Sequence, residues 1–454
     1  MDAETAPHRR GPAAVLVAAL REGALDAAEL AGQCLEAVAA REAAIGAWAF
    51  HDPGHVRRQA AICDELRREG RPLGPLHGLP VAVEDVFDTA DMPTGDGSPL
   101  HEGRRPLEDA WAVRALRAAG AVLLGKAATA ELGCGLPPPT RHPLDAARAV
   151  GMGPGGAAAA LAAGMAPAAL VADCAGSVVP AAAWCGVHAY RPSRGWIPRP
   201  GMLRRSRLLD GVAVLAAAVE DLALVAGPLL GDDPEDPDTR PLARPALAEE
   251  ALRPPPLPPR FGLVEGPEWM RPGPAAAEGL AALAEMLGGE AGRIGLGGRF
   301  REAAAQARLV LEADLALRLE EEVGRGRVSP ALAELVARGR RHAAVDYLRA
   351  AGEAAALYRI VREAFDEYDV LVAPAAAGEA PPRQEQPLDA PFAAPWTLLG
   401  MPVVVLPAMT GPDGLPMGVQ LIAPRGDDVR LLRAARWLEG RLAATTEETT
   451  PCGT

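Results

Sequence analysis

Lysine is nearly absent from this chain: Lys126 is the only one among 46 Lys and Arg residues, so any lysine-dependent chemistry has a single candidate. The six cysteines (Cys34, Cys63, Cys134, Cys174, Cys185 and Cys452) form no CxxC pair. That scatter argues against a zinc site, and disulfides are not expected in a reducing compartment. Acidic residues outnumber basic ones, 59 to 46. A net charge of −13 leaves no electrostatic footprint for nucleic acid or for an anionic membrane. No apolar run reaches spanning length once Gly, Pro and charges are counted, and the N-terminus MDAETAPHRRGPAA is too polar for a secretory signal. The expected setting is the cytoplasm, with no membrane, no metal and no cofactor.

What is present is an ordinary globular composition, 49% apolar and 23% charged over 454 residues, enough for one large domain or two smaller ones. Apolar spacing predicts two helices within 11–45, with Asp26 as an N-cap, and a third over about 56–69. A short buried strand at 81–83 ends in Glu84 and Asp85, where α/β proteins place ligands. A helix over about 109–119 and a strand at 121–126 follow. This alternation predicts an α/β fold, a large, mostly parallel mixed sheet covered by helices on both faces. Residues 209–230 read as a strand then a helix, and 232–260, rich in Pro, Asp and Arg, as an exposed linker. Helices dominate 275–365, and their Arg/Glu pairs read as solvated faces rather than a binding site. Strands at 370–374, 403–406 and 416–421 and a helix over 427–442 close the chain.

The chain is organised around 150–186, VGMGPGGAAAALAAGMAPAALVADCAGSVVPAAAWCG. It reads as a Gly-rich loop, a small-residue helix over about 156–164, an apolar strand, and a tight turn holding Ser177. Bare backbone N–H groups beside a helix N-terminus can hold a developing oxyanion. The same pattern also suits a tightly packed helix and strand in an α/β core.

These residues resemble the core of the amidase signature family, serine hydrolases that cleave carboxamides with a Ser–cis-Ser–Lys triad. Val150 to Ala157 fills the family's first loop, roughly PGGSSSGSAAAVAAG. Asp173-Cys174-Ala175-Gly176-Ser177 through Cys185-Gly186 fills its GTDTGGSxRxPAxxCG motif. The LRAAGAVLLGK run, Arg191 to Pro198, Val370 to Pro374 and Gly414 to Leu421 are similar to further family segments in the same order. The resemblance covers nearly the whole chain and implies one domain: an N-terminal helical layer (1–72), the signature core (73–230), a Pro-rich linker (231–260), a helical insertion (261–365) and a C-terminal sheet with its closing helix (366–454).

The resemblance also fixes the triad positions. Ser177 falls on the nucleophile, Gly153 on the cis-serine and Glu84 on the lysine, within Gly78-Leu79-Pro80-Val81-Ala82-Val83-Glu84-Asp85. Lysine-to-arginine drift does not produce a glutamate. In the family, lysine deprotonates the nucleophile through the cis-serine hydroxyl. Gly153 cannot relay a proton, and Pro154 offers neither hydroxyl nor N–H. The Met152–Gly153 bond, cis in the family at roughly 2.5–4 kcal/mol, is expected to be trans here, and a cis Gly153–Pro154 bond is a separate option.

Two readings stand for each surviving group. Ser177 is a nucleophile, or a hydroxyl capping a turn. Glu84 is a base of raised pKa, or the partner of an arginine or of loop N–H groups. The loss of hydroxyls from 152–157 and of the family arginine near Val179 and Pro180 favours the second reading of both. Asp85 is expected to be structural, and a catalytic role for Lys126 is not expected. His77 and His142 fall in loops around the expected cleft. Pro154, Asp173, Cys174, Ala175 and Gly176 are the expected substrate-binding residues. The expected partners are a small-molecule amide or related ligand and a homodimer or heteromer, with amide hydrolysis weakened or lost. The alternative is an active amidase using Ser177 with Glu84.

Overall fold

The computed structural model describes residues 12–241 and 243–449. Cys452 and most of the polar N-terminal segment lie outside the described residues. Eleven strands form one sheet: β1 (Trp48–Phe50), β2 (Pro80–Glu84), β3 (Val122–Ala127), β4 (Ala168–Cys174), β5 (His188–Arg191), β6 (Asp210–Ala216), β7 (Phe261–Glu265), β8 (Ala291–Gly295), β9 (Val370–Pro374), β10 (Val403–Thr410) and β11 (Pro416–Ile422). Their spatial order is β1-β3-β2-β4-β6-β5-β10-β11-β9-β7-β8.

The sheet is mixed, but it is not mostly parallel: six of its ten pairings are antiparallel and four are parallel. The connections explain the division. Parallel pairs need a crossover, and antiparallel neighbours can be joined by a loop. Helices separate β2 from β3, β3 from β4, and β7 from β8, and these strands sit in two parallel triplets near the sheet edges. Between β5 and β6, and between β10 and β11, only loops intervene, and the sheet centre runs antiparallel.

The helices are α1 (Ala13–Glu22), α2 (Ala27–Ile45), α3 (Pro53–Arg68), α4 (Trp111–Ala118), α5 (Gly155–Ala162), α6 (Val178–Cys185), α7 (Val219–Ala226), α8 (Leu247–Leu252), α9 (Pro274–Leu287), α10 (Ala303–Arg318), α11 (Glu320–Gly324), α12 (Pro330–Gly339), α13 (Ala344–Glu363), α14 (Ala394–Leu398) and α15 (Asp428–Thr449). Strand alternation feeds two separate apolar layers. Ala82, Val171, Ala373 and Val405 join α2, α5, α6 and α10 on one face. Val81, Val83, Val372 and Val404 join α4, α7 and α15 on the other. None of the helices is long and apolar enough to cross a membrane among the described residues.

Three local expectations change. Asp26 sits at the N-cap of α2 without a side-chain capping bond, because its carboxylate pairs with Arg67. Asp64, on α3, does the capping, accepting from Ala27 N at 2.7 Å and Ala28 N at 2.9 Å. Residues 231–260 are not simply an exposed linker. They carry α8, whose i, i+4 pair Leu247 and Ala251 is buried and whose Glu250 pairs with Arg433. The 261–365 segment is not purely helical either, since β7 and β8 extend the sheet through it.

Candidate active site

β3, β2 and β4 are adjacent and parallel, and the site forms where their C-terminal ends meet the starts of α5 and α6. After β4 the chain turns through Ala175 (φ 52°) and Gly176 (φ 84°), and Ser177 opens α6. The Ser177 hydroxyl accepts from Cys174 N at 3.3 Å, and the residue is 6% exposed. It makes no capping bond to α6. The first turn of α6 is served instead by Asp173, which accepts from Val178 N at 3.1 Å.

Glu84 closes β2 and is wholly buried. Its Oε1 accepts from the Thr129 hydroxyl at 2.6 Å and its Oε2 from Ala172 N at 2.7 Å. Burial pushes the carboxyl up to about 7, against the opposing pull of the Thr129 hydrogen bond, the Arg205 charge and the Ala172 N–H. Arg205 is also fully buried. It holds Asp210 at 3.2 Å and donates to Gly133 O at 3.1 Å. Burial works against its charge, yet the surrounding groups, Asp210 and Glu84 among them, carry its pKa upward.

Gly153 lies between these two groups. A Cβ on it would stand 3.3 Å from Ser177 Oγ and 3.5 Å from Glu84 Oε1. Position 153 thus faces both groups, and even a methyl there would press on the Ser177 hydroxyl. No peptide bond is cis among the described residues, so Met152–Gly153 and Gly153–Pro154 are both trans, and Gly153 has a φ of 23°. The adjoining helix is seated by small residues: a Cβ on Gly156 would fall 2.3 Å from Ala128 O.

Ser177 opens onto a cavity of about 900 Å³, a size that suits a small-molecule ligand. Cys174 and Ala175 line it with Ser177; Pro154, Asp173 and Gly176, expected to bind substrate, are not among its lining residues. Asp173 is held by Arg191 at 3.3 Å and by the Thr397 hydroxyl at 3.2 Å. Burial drives the Cys174 thiol far above its ordinary pKa, which leaves it a poor nucleophile. Lys126 is buried too, donating to Phe87 O at 2.8 Å and Thr94 Oγ1 at 2.7 Å and pairing with Asp85 at 3.1 Å. Both residues are thereby tied into the fold, in line with a structural Asp85.

Neither expected histidine reaches the cavity. His142 is buried with Nε2 2.8 Å from Trp184 O, and His77 packs beside Gly120. The histidine that lines it is His342, together with Arg301, Arg308 and Arg338. The Arg/Glu-rich helices 275–365, read as solvated faces, thus supply one wall of the site. An arginine spaced for solvent on an amphipathic helix is spaced equally well for a water-filled cavity, so the pattern carried no signal. Glycine and alanine at 150–186, by contrast, marked the opposite wall.

The Amidase family model matches residues 29–293 and 300–432. Over 452 residues the chain is 30% identical to the AtzE subunit of 1-carboxybiuret hydrolase from Pseudomonas sp. (strain ADP), a match spanning 93% of this chain and 97% of that one. It is 34% identical over 234 residues to a glutamyl-tRNA(Gln) amidotransferase subunit of Chloroflexus aurantiacus; that match spans 50% of this chain and only 48% of the relative's length. Among solved structures it is similar, with a TM-score of 0.88 and 28% identity over 96% of this chain and 98% of the other, to a chain of a vestigial complex described as revealing the evolutionary origins of an s-triazine catabolic enzyme. The two-layered mixed sheet, the Gly-rich loop before α5 and the Ser177 turn thus agree with these likenesses, and the chain belongs to the amidase signature family.

Proposed function

We propose that this protein is an amidase-family chain whose acid–base machinery is interrupted between Ser177 and Glu84, and that its cavity binds a small amide or related carbonyl compound with little or no turnover. One observation carries the reading: position 153 stands within reach of both groups and has no hydroxyl to pass a proton. Acid–base assistance of this kind is worth about 10²–10⁴-fold, so its loss removes most of the activation of Ser177. The chain is read as one amidase-signature domain, because a single sheet draws strands from its beginning to its end. Relatives described as subunits support a role within a larger assembly.

Intact mass after incubation with a fluorophosphonate tests the reading, on the wild type, on Ser177→Ala and on a competent amidase as control. The expected result is no adduct on this chain and complete labelling of the control. A stoichiometric adduct that disappears in Ser177→Ala overturns the proposal.

A second reading rests on a specific observation. A carboxyl with a pKa of about 7 and a hydroxyl partner at 2.6 Å is suited to general-base work near neutral pH. A water in the space beside Gly153 would then link Glu84 to Ser177, and the chain would be an active amidase. The labelling experiment separates the two.

A further inference from the structure

The cavity lining holds three arginines, Arg301, Arg308 and Arg338, and three carboxylates, Glu312, Glu334 and Asp389, but they do not all pair with one another. Arg308 pairs with Asp389. Arg338 and His342 share Glu312, at 2.9 Å and 2.8 Å. Glu334 faces Arg341 at 3.2 Å. Arg301 is left over: no carboxylate of the described residues lies within 4.0 Å of its guanidinium, and it lines the cavity.

Arg301 is also firmly mounted. It belongs to a single 3-10 turn, Gly298–Glu302, whose Phe300 is wholly buried between Trp269 and Trp396, with ring centroids 5.9 Å and 5.1 Å away. Trp269 Nε1 donates to Arg301 O at 2.7 Å. The backbone that presents the guanidinium is thus pinned by an aromatic stack, while Met152, Pro180, Trp184, Trp269, Leu309 and Leu388 give the cavity a largely apolar lining. A chain of net charge −13 repels anions at long range, so holding one requires a local cation such as this.

We propose that the cavity's ligand is an organic carboxylate with an aromatic or alkyl body, the body lying on the apolar lining and the carboxylate on Arg301. The planar fork of an arginine matches a carboxylate with two parallel hydrogen bonds, a geometry that a neutral amide cannot reproduce. The assignment rests on the reading that this cavity is the protein's ligand site. It does not depend on whether Ser177 is reactive.

The test is calorimetric titration of Ser177→Ala, which excludes turnover, with 4-phenylbutyrate and 4-phenylbutyramide, probes that share a body and differ in charge. The acid is expected to bind up to about fivefold more tightly than the amide, the size of one exposed ion pair. Adding Arg301→Ala should erase that preference and leave amide affinity unchanged, and Arg301→Lys should restore part of it. Equal or tighter binding of the amide, a preference that survives Arg301→Ala, or no binding of either probe overturns the proposal. Because Ser177 is absent throughout, the fluorophosphonate result stands or falls separately.

Discussion

The two walls of the cavity are built on opposite principles. The wall of α5, α6 and the Ser177 turn is rich in glycine and alanine and almost wholly buried, with close backbone approaches such as that of Gly156 to Ala128. The wall of α10 and α12 mixes Ala and Leu with long charged side chains, several half in solvent. The first wall fixes atoms to fractions of an ångström and tolerates no added bulk; the second tolerates substitution and can change what the cavity recognises. The family's motifs fall on the first, and the proposed ligand contact falls beside the second. On the proposed reading, a chain can stop or alter its chemistry through two side chains, at 84 and 153, while the backbone packing around them is kept.

The sharpest way to break this contrast is Glu84→Lys, which installs the lysine that the proposed correspondence with the family assigns to this position. With Arg205 fully buried nearby, the change would set two cations together out of water. It should cost about 3–5 kcal/mol of stability in urea unfolding. A variant as stable as the wild type would show that Arg205 is not what keeps lysine out. Gly156→Ala should follow at roughly 1–3 kcal/mol, because its methyl would fall 2.3 Å from the Ala128 carbonyl. On the other wall, Glu334→Ala, at a side chain 56% exposed, should stay within about 0.5 kcal/mol. Equal costs at the two positions would dissolve the distinction between the walls.

The gentlest test is a pH profile. Glu84 has its pKa raised from 4.5 unfolded to about 7 folded, so the folded state holds the proton more tightly. Its contribution is fully present below pH 4.5 and is lost as pH rises through about 7. Wild type should therefore lose stability between pH 5 and 8 more steeply than Glu84→Gln, read from unfolding midpoints across that range. Parallel profiles would show that Glu84 ionises as readily as an exposed carboxylate.

Much of the first wall was legible in the sequence, because steric demands leave a plain mark: where no Cβ fits, glycine stands. The segment 150–186 gave α5, β4 and the Ser177 turn nearly in their observed bounds, and Gly153 and Glu84 do converge on Ser177. Strand direction was less legible. Short buried runs such as 403–406 and 416–421 look alike in either orientation, and the loops joining them decide it. Asp64 escaped notice as the cap of α2 because the bond crosses 37 residues of chain, beyond any local pattern. Arg301 escaped for a related reason: its value lies in the absence of a partner, which only the folded arrangement of α10, α12 and the loop at 387–391 exposes.

Lys126, introduced as the chain's only lysine, is locked beneath the surface with no side-chain area in contact with solvent. Reagents and enzymes that seek a lysine ε-amine, whether succinimidyl cross-linkers, acetyl donors or ubiquitin-conjugating machinery, find none on this folded surface. A binding partner covering its arginine-rich exterior would thus leave no trace in lysine cross-linking maps. It must be sought through carboxylate- or guanidinium-directed chemistry instead.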